Sequence, residues 1–302
     1  MSLDHSAVHE KKRVALFSVL AAVFLTGSKL LIGLLTGSLG ILSEALHSCL
    51  DLVAAIITYF SVRISDKPAD SDHHFGHGKV ENLSALMETF LLLITSVWII
   101  HEAAHRLMTG NVKIEVTVWS YIVVISSIAV DFSRSRALMK AAKIHNSQAL
   151  EADAIHFSTD IWSSSVVLLG LVCSNFGFYY ADPVAALFVA LIVIYVCFIL
   201  GKKAVDVLLD GAPADYVEVV EKIAENVRGL TSVHDIKARM AGADVFLEVC
   251  VHLNPSSTLE EAHRISHEFE KLIHEKISRC RVHIHQEPEE CIPDPEKTEG
   301  LL

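Results

Sequence analysis

The 302-residue chain is poor in charge: 20% of its residues are Asp, Glu, Lys or Arg, and 52% are hydrophobic. Water-soluble chains carry about 25% charged residues and about 45–50% apolar ones, so an ordinary soluble enzyme is excluded. Basic charge is scarcer still, with 25 Lys and Arg against 36 Asp and Glu and a formal net charge of −11. The basic face that a nucleic-acid binder needs is therefore missing. Six cysteines (49, 173, 197, 250, 280 and 291) form no CxxC pair, and no disulfide framework is indicated. Cys49, Cys173 and Cys197 lie in apolar runs, where a thiol acts as a small hydrophobe. The first apolar run lacks a small-residue cleavage site and is too long for a signal-peptide core, so it reads as a mature helix.

What the chain does have is apolar length. Crossing a bilayer takes about 20 apolar residues in a helix, and six stretches qualify: Val14–Leu35, Leu39–Val62, Leu83–Leu107, Val116–Leu138, Ala154–Cys173 and Pro183–Gly201. Gly37-Ser38 reads as a tight turn between the first two. With the N-terminus inside, the inner segments hold Lys11, Lys12, Arg13, Arg63, Lys67, Lys79, Arg134, Arg136, Lys140, Lys143, Lys202 and Lys203, whereas the outer loops hold Arg106 and Lys113. The positive-inside rule then predicts both termini in the cytoplasm. Up to Leu208 the charges nearly cancel, 15 basic against 17 acidic; the last 94 residues hold 10 against 19. The acidic surplus thus belongs to a C-terminal part that reads as soluble.

Ionisable residues inside membrane helices are costly and point to function. The second stretch carries Glu44, His47 and Asp51; the fifth carries Asp153, His156 and Asp160. Steps of three then four put each trio on one helix face. The bland reading is polar packing between helices, but two matching carboxylate–His–carboxylate stripes favour a metal site. His47, Asp51, His156 and Asp160 offer two imidazole nitrogens and two carboxylate oxygens, a closed tetrahedral shell for zinc. Two His argue against manganese or magnesium. Two ionised Asp offset a divalent cation, and ligands that bind metal deprotonated couple release to proton uptake. Glu44 and Asp153 serve either an access path or helix packing.

Three further features bear on function. Asp70, Asp72, His73, His74 and His77 crowd the first inner loop, with Asp70, His73 and His77 the preferred ligand set and a lower-affinity collecting site the alternative use. His101-Glu102-Ala103-Ala104-His105 matches the HExxH zinc-protease pattern, and Asp210 could supply a third ligand. That rival fails on topology, because the motif falls at the outer end of the third stretch and Asp210 beyond the inner end of the sixth. After Pro213, helical and alternating patterns give the order αββαβ, a small two-layer α+β domain, with an acidic, disordered tail over 291–302. His234, Cys250, His252, His263, His283, His285 and Glu287 are its potential ligands.

With these residues in place, the chain resembles the cation diffusion facilitators, divalent-metal/proton antiporters, over about residues 12 to 288. HSCLD, PADSDHHFGHGKVE, EADAIHFSTD, LLDGAP and VHIHQEP carry the likeness. The resemblance implies six transmembrane helices over residues 1–208, a metallochaperone-like cytoplasmic domain over 209–290, a homodimer and no enzyme activity. It implies a transport site at His47, Asp51, His156 and Asp160, similar to zinc-selective members. It further implies a loop site at Asp70, His73 and His77, and a cytoplasmic dimer-interface site at His234, Cys250, His263, His285 and Glu287. Cys250 and Glu287 depart from the His and Asp of many relatives. The expected function is zinc/proton exchange across a bacterial or archaeal cell membrane, with zinc also regulatory. The alternatives are another main substrate (cadmium, iron, manganese or cobalt), an intramembrane protease, or a passive metal sensor.

Overall fold

Apolar runs of this length leave the backbone one way to satisfy itself in lipid, which is to become helix. Six long helices result: α1 (His5–Thr36), α2 (Leu39–Ser65), α3 (Lys79–Thr109), α4 (Val118–His145), α5 (Gln148–Asn175) and α6 (Ala181–Leu208). The structure, a computed structural model, describes residues 5–36, 39–109, 118–176, 178, 180–211 and 214–289. The Gly37-Ser38 turn, Lys113, Cys291, the tail over 291–302 and the Glu44 side chain lie outside the described residues. Two compact units are present, Met1–Val205 and Asp206–Leu302.

The helices outrun their apolar stretches at one end. α3 starts at Lys79 rather than Leu83, α5 starts at Gln148 rather than Ala154, and α4 continues to His145. Hydropathy registers the lipid crossing, whereas these added turns are polar and held by one another. The Ser147 hydroxyl accepts from the Leu150 amide at 3.4 Å at the start of α5 and donates to buried Glu81. Lys11 Nζ lies 2.5 Å from Asp66 Oδ1 and 3.2 Å from Glu81 Oε1. Asn82 Nδ2 donates to Gln148 Oε1 at 2.7 Å. This end of the bundle is thereby stitched shut across α1, α2, α3 and α5.

Among the described residues, α1, α2, α3 and α6 are apolar and long enough by composition to cross a membrane. α4 and α5 carry Asp131, Arg134, Asp153, His156 and Asp160 within the bundle. α5 packs against α2, α3 and α4. Ala15, Ala141, Ala142, Ala149 and Ala154 let the backbones approach closely around Val62, Leu138, Leu150 and Phe157. Buried Arg134 reaches Asp131 at 3.2 Å and Ser18 Oγ at 3.1 Å, and its guanidinium sits 3.5 Å above the Phe157 ring.

The second unit holds α7 (Ala214–Ala224), β1 (Leu230–Ala241), β2 (Asp244–Leu253), α8 (Leu259–Lys276) and β3 (Cys280–Pro288), the expected αββαβ order. The strands lie in the order β1-β2-β3, with β1 and β2 antiparallel and β2 and β3 parallel. A parallel neighbour needs a crossover, which α8 supplies, N-capped by Thr258 accepting from the Glu261 amide. Alternation in β2 sends Val245, Leu247, Val249, Val251 and Leu253 into the core with Val220 and Ile223 of α7 and Ile265, Phe269 and Ile273 of α8. Both helices therefore cover one face of the sheet, and the polar residues of the strands keep the other.

Removing one partner of a buried ion pair strands the other, at a cost of about 3–5 kcal/mol. Lys11→Met is expected to lower the apparent melting temperature of the detergent-solubilised protein. Adding Asp66→Asn to it should recover part of the loss.

Candidate metal centres

Two turns of α2 and two of α5 face each other and bring four side chains together. His156 Nε2 lies 3.3 Å from Asp51 Oδ1 and 3.5 Å from Asp160 Oδ2, and His47 Nε2 lies 3.7 Å from Asp160 Oδ1 and 3.9 Å from Asp51 Oδ1. Four ligands about 2.0 Å from a zinc ion stand about 3.3 Å apart on a tetrahedron; ligand atoms of His47, Asp51 and Asp160 all lie within 4.8 Å of one another, and His156 joins them through its two Asp contacts. Asp160 Oδ2 and His156 Nδ1 are buried without a hydrogen-bond partner. Buried polar groups are normally paired, and a ligand at this point supplies what Asp160 lacks.

A cavity of about 350 Å³ reaches this cluster. His47, Asp51 and Asp160 line it, as do Trp98, Glu102 and Arg106 from the C-terminal part of α3 and Pro183 from the start of α6. It extends toward the end of the bundle opposite the Lys11–Asp66–Glu81 closure. Between the cluster and that closure stand fully buried side chains. Glu88 accepts from Thr58 and from Ser84 Oγ at 3.2 Å, and Asp153 accepts from Ser18 Oγ at 3.3 Å.

The loop between α2 and α3 gathers the second set. Asp70 Oδ1 accepts from the amides of Asp72 at 3.1 Å and His73 at 2.7 Å. His73 Nδ1 is 3.2 Å from Asp70 Oδ1 and His77 Nε2 is 3.4 Å from Asp70 Oδ2. Gly76, at φ 82°, supplies the left-handed step that turns His77 back toward His73, their rings 4.4 Å apart. The His73 amide, aimed at the carboxylate, holds Asp70 below its ordinary pKa. The expected trio converges, and Asp72 and His74 are not part of it.

On the helix-free face of the sheet, register sets two rows. His234, Cys250 and His285 are cross-strand neighbours, and Ser232, His252 and Glu287 form the next row. Ligand atoms of His234, Cys250 and Glu287 lie within 4.8 Å of one another. Glu287 is also 3.4 Å from His252 Nε2 and 3.3 Å from His285 Nε2. A bulge after His234, where Asp235 takes φ 48°, tilts the strand beside the cluster. Burial, then the Glu287 charge, raises the Cys250 thiol pKa. His263 is not brought here: it sits on α8 with His267, Ser266 and Gln286, on the opposite face of the same sheet. His283 stands one row further along, opposite Glu248.

HEAAH does not assemble a site. His101 and His105 are exposed on α3, and Glu102 is engaged by Arg106 Nε at 2.7 Å. Asp210 lies 3.7 Å from Arg239. The sequence reading passed over other ionisable residues within the stretches, chiefly Lys29 and Asp131, which line the cavity, and Glu88. Their signal was the same intramembrane charge that marked His47 and Asp160, without a second helix repeating it.

Residues 15–209 match the model of the cation efflux transmembrane domain, and residues 212–289 match that of the cation efflux protein cytoplasmic domain. An uncharacterised transporter of Methanocaldococcus jannaschii, MJ0449, is 34% identical over 92% of this chain and 99% of its own. The cation-efflux pump FieF of Shewanella oneidensis is 31% identical over 91% and 93%. Among solved structures, the zinc form of CzrB is 33% identical over 28% of this chain and 98% of that one, at a TM-score of 0.27. The chain belongs to the cation diffusion facilitator family of divalent-cation efflux transporters, and it is not an enzyme.

Proposed function

We propose that the chain exports zinc in exchange for protons, with His47, Asp51, His156 and Asp160 as the moving site. The observation that carries this reading is the four His–Asp separations between α2 and α5 side chains, 3.3 to 3.9 Å, close to the edge of a zinc tetrahedron. Two imidazoles with two carboxylates suit zinc better than the all-oxygen shells of magnesium or manganese. Because the four groups bind metal deprotonated, protons arriving at them weaken the hold on the ion. Proton entry and zinc release are thus opposite sides of one equilibrium.

Both termini are placed in the cytoplasm by the positive-inside rule. In that orientation the cavity opens outward and the Lys11–Asp66–Glu81 end is the closed cytoplasmic side. The Asp70, His73 and His77 loop then lies on the cytoplasmic side, where it collects the ion. His234, Cys250, His285 and Glu287 form a regulatory zinc site, with His252 beside them. His263, on the far face of its own sheet, reaches that site from a second copy, so zinc there favours the homodimer. The division into residues 1–208 for transport and 209–290 for metal binding and dimerisation follows from this assignment.

Reconstituted vesicles with an imposed pH gradient, read for zinc flux and internal pH together, test the proposal. Wild type is expected to move the two in opposite directions. Asp51→Ala and Asp160→Ala should each abolish zinc flux, and flux unaffected by either would remove the assignment. Glu102→Gln should leave flux intact. In the same assay His47→Asp should relax zinc selectivity toward cadmium.

At the C-terminal site the raised Cys250 pKa fixes a sign. The thiol keeps its proton through neutral pH, so zinc must displace it. Affinity should rise with pH by about tenfold per unit while one proton is released, and Cys250→Ser should flatten that slope. Cobalt substitution offers a separate check, because its thiolate charge-transfer band should vanish in the Ser variant.

A further inference from the structure

The helix-covered side of the C-terminal unit carries imidazoles of its own. His263 and His267 stand one turn apart on α8, a spacing that puts both side chains on the same helix face. Their rings are nearly parallel, 14° apart, with centroids separated by 6.2 Å, and both residues are exposed. They line a cavity of about 160 Å³ together with Ser266 and Glu270 of α8 and Val282, Ile284 and Gln286 of β3. Glu270 Oε2 stands 3.5 Å from His267 Nδ1, and its other oxygen stands 3.5 Å from His274 Nε2. The carboxylate therefore lies behind the His267 ring and leaves Nε2 as the end that a ligand can meet.

We propose that His263 and His267 form a further transition-metal site on α8, with Glu270 as the carboxylate that orients His267. Two histidines at i and i+4 on one helix face are the chelating half of the HExxH zinc pattern. Here Arg264 stands where that pattern has its glutamate, so the spacing carries binding and no hydrolysis. Two imidazoles on one zinc ion at 2.0–2.1 Å have centroids about 5 Å apart. Rings 6.2 Å apart on exposed side chains reach that separation by rotation, with the helix unmoved. A metal-bound imidazole normally hands its other nitrogen to a carboxylate, the position Glu270 takes behind His267. The cavity leaves room for waters that complete the shell, and imidazole ligands favour zinc, copper or nickel over magnesium and calcium. One consequence rests on the regulatory reading above: His263 is the imidazole sent there to a second copy. It can serve one site at a time, so an ion on α8 competes for it.

The test uses detergent-solubilised full-length protein and zinc at dialysis equilibrium, and it turns on His267, which belongs to no other site. His267→Ala is expected to bind one zinc ion fewer per protomer than wild type at saturation. Cys250→Ser and Asp51→Ala should each retain the component that His267→Ala removes. Glu270→Gln should raise the Kd of that component by about 10–100-fold. Because His263 is released to the other site, His267→Ala should leave the Cys250-dependent component as tight or tighter. Equal stoichiometry in wild type and His267→Ala would overturn the proposal. A weaker Cys250-dependent component in His267→Ala, or loss of the His267-dependent component in Cys250→Ser, would also overturn it, by making His267 part of the regulatory site. If His267→Ala loses an ion and Cys250→Ser loses none, the α8 site stands and the regulatory reading falls.

Discussion

An ionised carboxylate out of water must find a cation or several hydrogen-bond donors, and in this bundle that requirement decides which helices touch. The effective cost of burying such an ion unpaired is several kcal/mol, comparable to the whole stability of many domains. Each buried acid is accordingly met by groups from another helix or from the next turn. Lys11 of α1 answers Asp66 of α2 and Glu81 of α3; Arg134 answers Asp131 within α4 and reaches Ser18 of α1. Glu88 takes hydroxyls from α2 and from its own helix. Asp51 and Asp160 stand apart, for their near neighbours are imidazoles whose charge depends on a proton. An acid pair compensated by groups that can lose their charge is free to take a cation, whereas one compensated by Arg is fixed in place.

Small residues make these meetings possible. Ala15, Ala54, Ala55, Ala85, Ala149, Ala152 and Ala154 are buried in the helical unit, and close backbone approach puts short side chains such as Asp and Ser within reach of partners across a helix interface. Lipid-facing positions carry the bulk instead, with Phe24, Phe90, Phe188 and Phe198 exposed. The usual soluble pattern is inverted: apolar surface points outward, and much of the polar chemistry lies inside.

Much of this was legible in the sequence, and the part that was not has one origin. The stripes His47–Asp51 and His156–Asp160 follow from a helical period of 3.6 residues, and strand alternation alone put Cys250 and His252 on the face away from the core. Pairings between elements are tertiary facts. Nothing in a period shows that Lys29 would share a cavity with Asp51, that Asp131 would find Arg134, or that His263 would lie on the far side of the sheet from Glu287. The polar extensions of α3, α4 and α5 were missed for a related reason, because hydropathy sees lipid contact and is blind to a turn held by Ser147 and Glu81.

Charge neutrality explains how the two units differ. In the part up to Leu208 acids exceed bases by two, and the buried bases Lys11 and Arg134 are each paired with an acid. A surplus there would sit in low dielectric, where each uncompensated charge is expensive. The last 94 residues carry nine more acids than bases, a surplus that is cheap in water, where salt screens it over about 8–10 Å. Such a domain raises the local concentration of divalent cations without binding any of them, while selection among them falls to the few positions where imidazole and thiol join the carboxylates. A collecting field can therefore be strong and unselective in water, and a transport site must be selective and nearly neutral in lipid; the chain separates the two demands by where it places its acids.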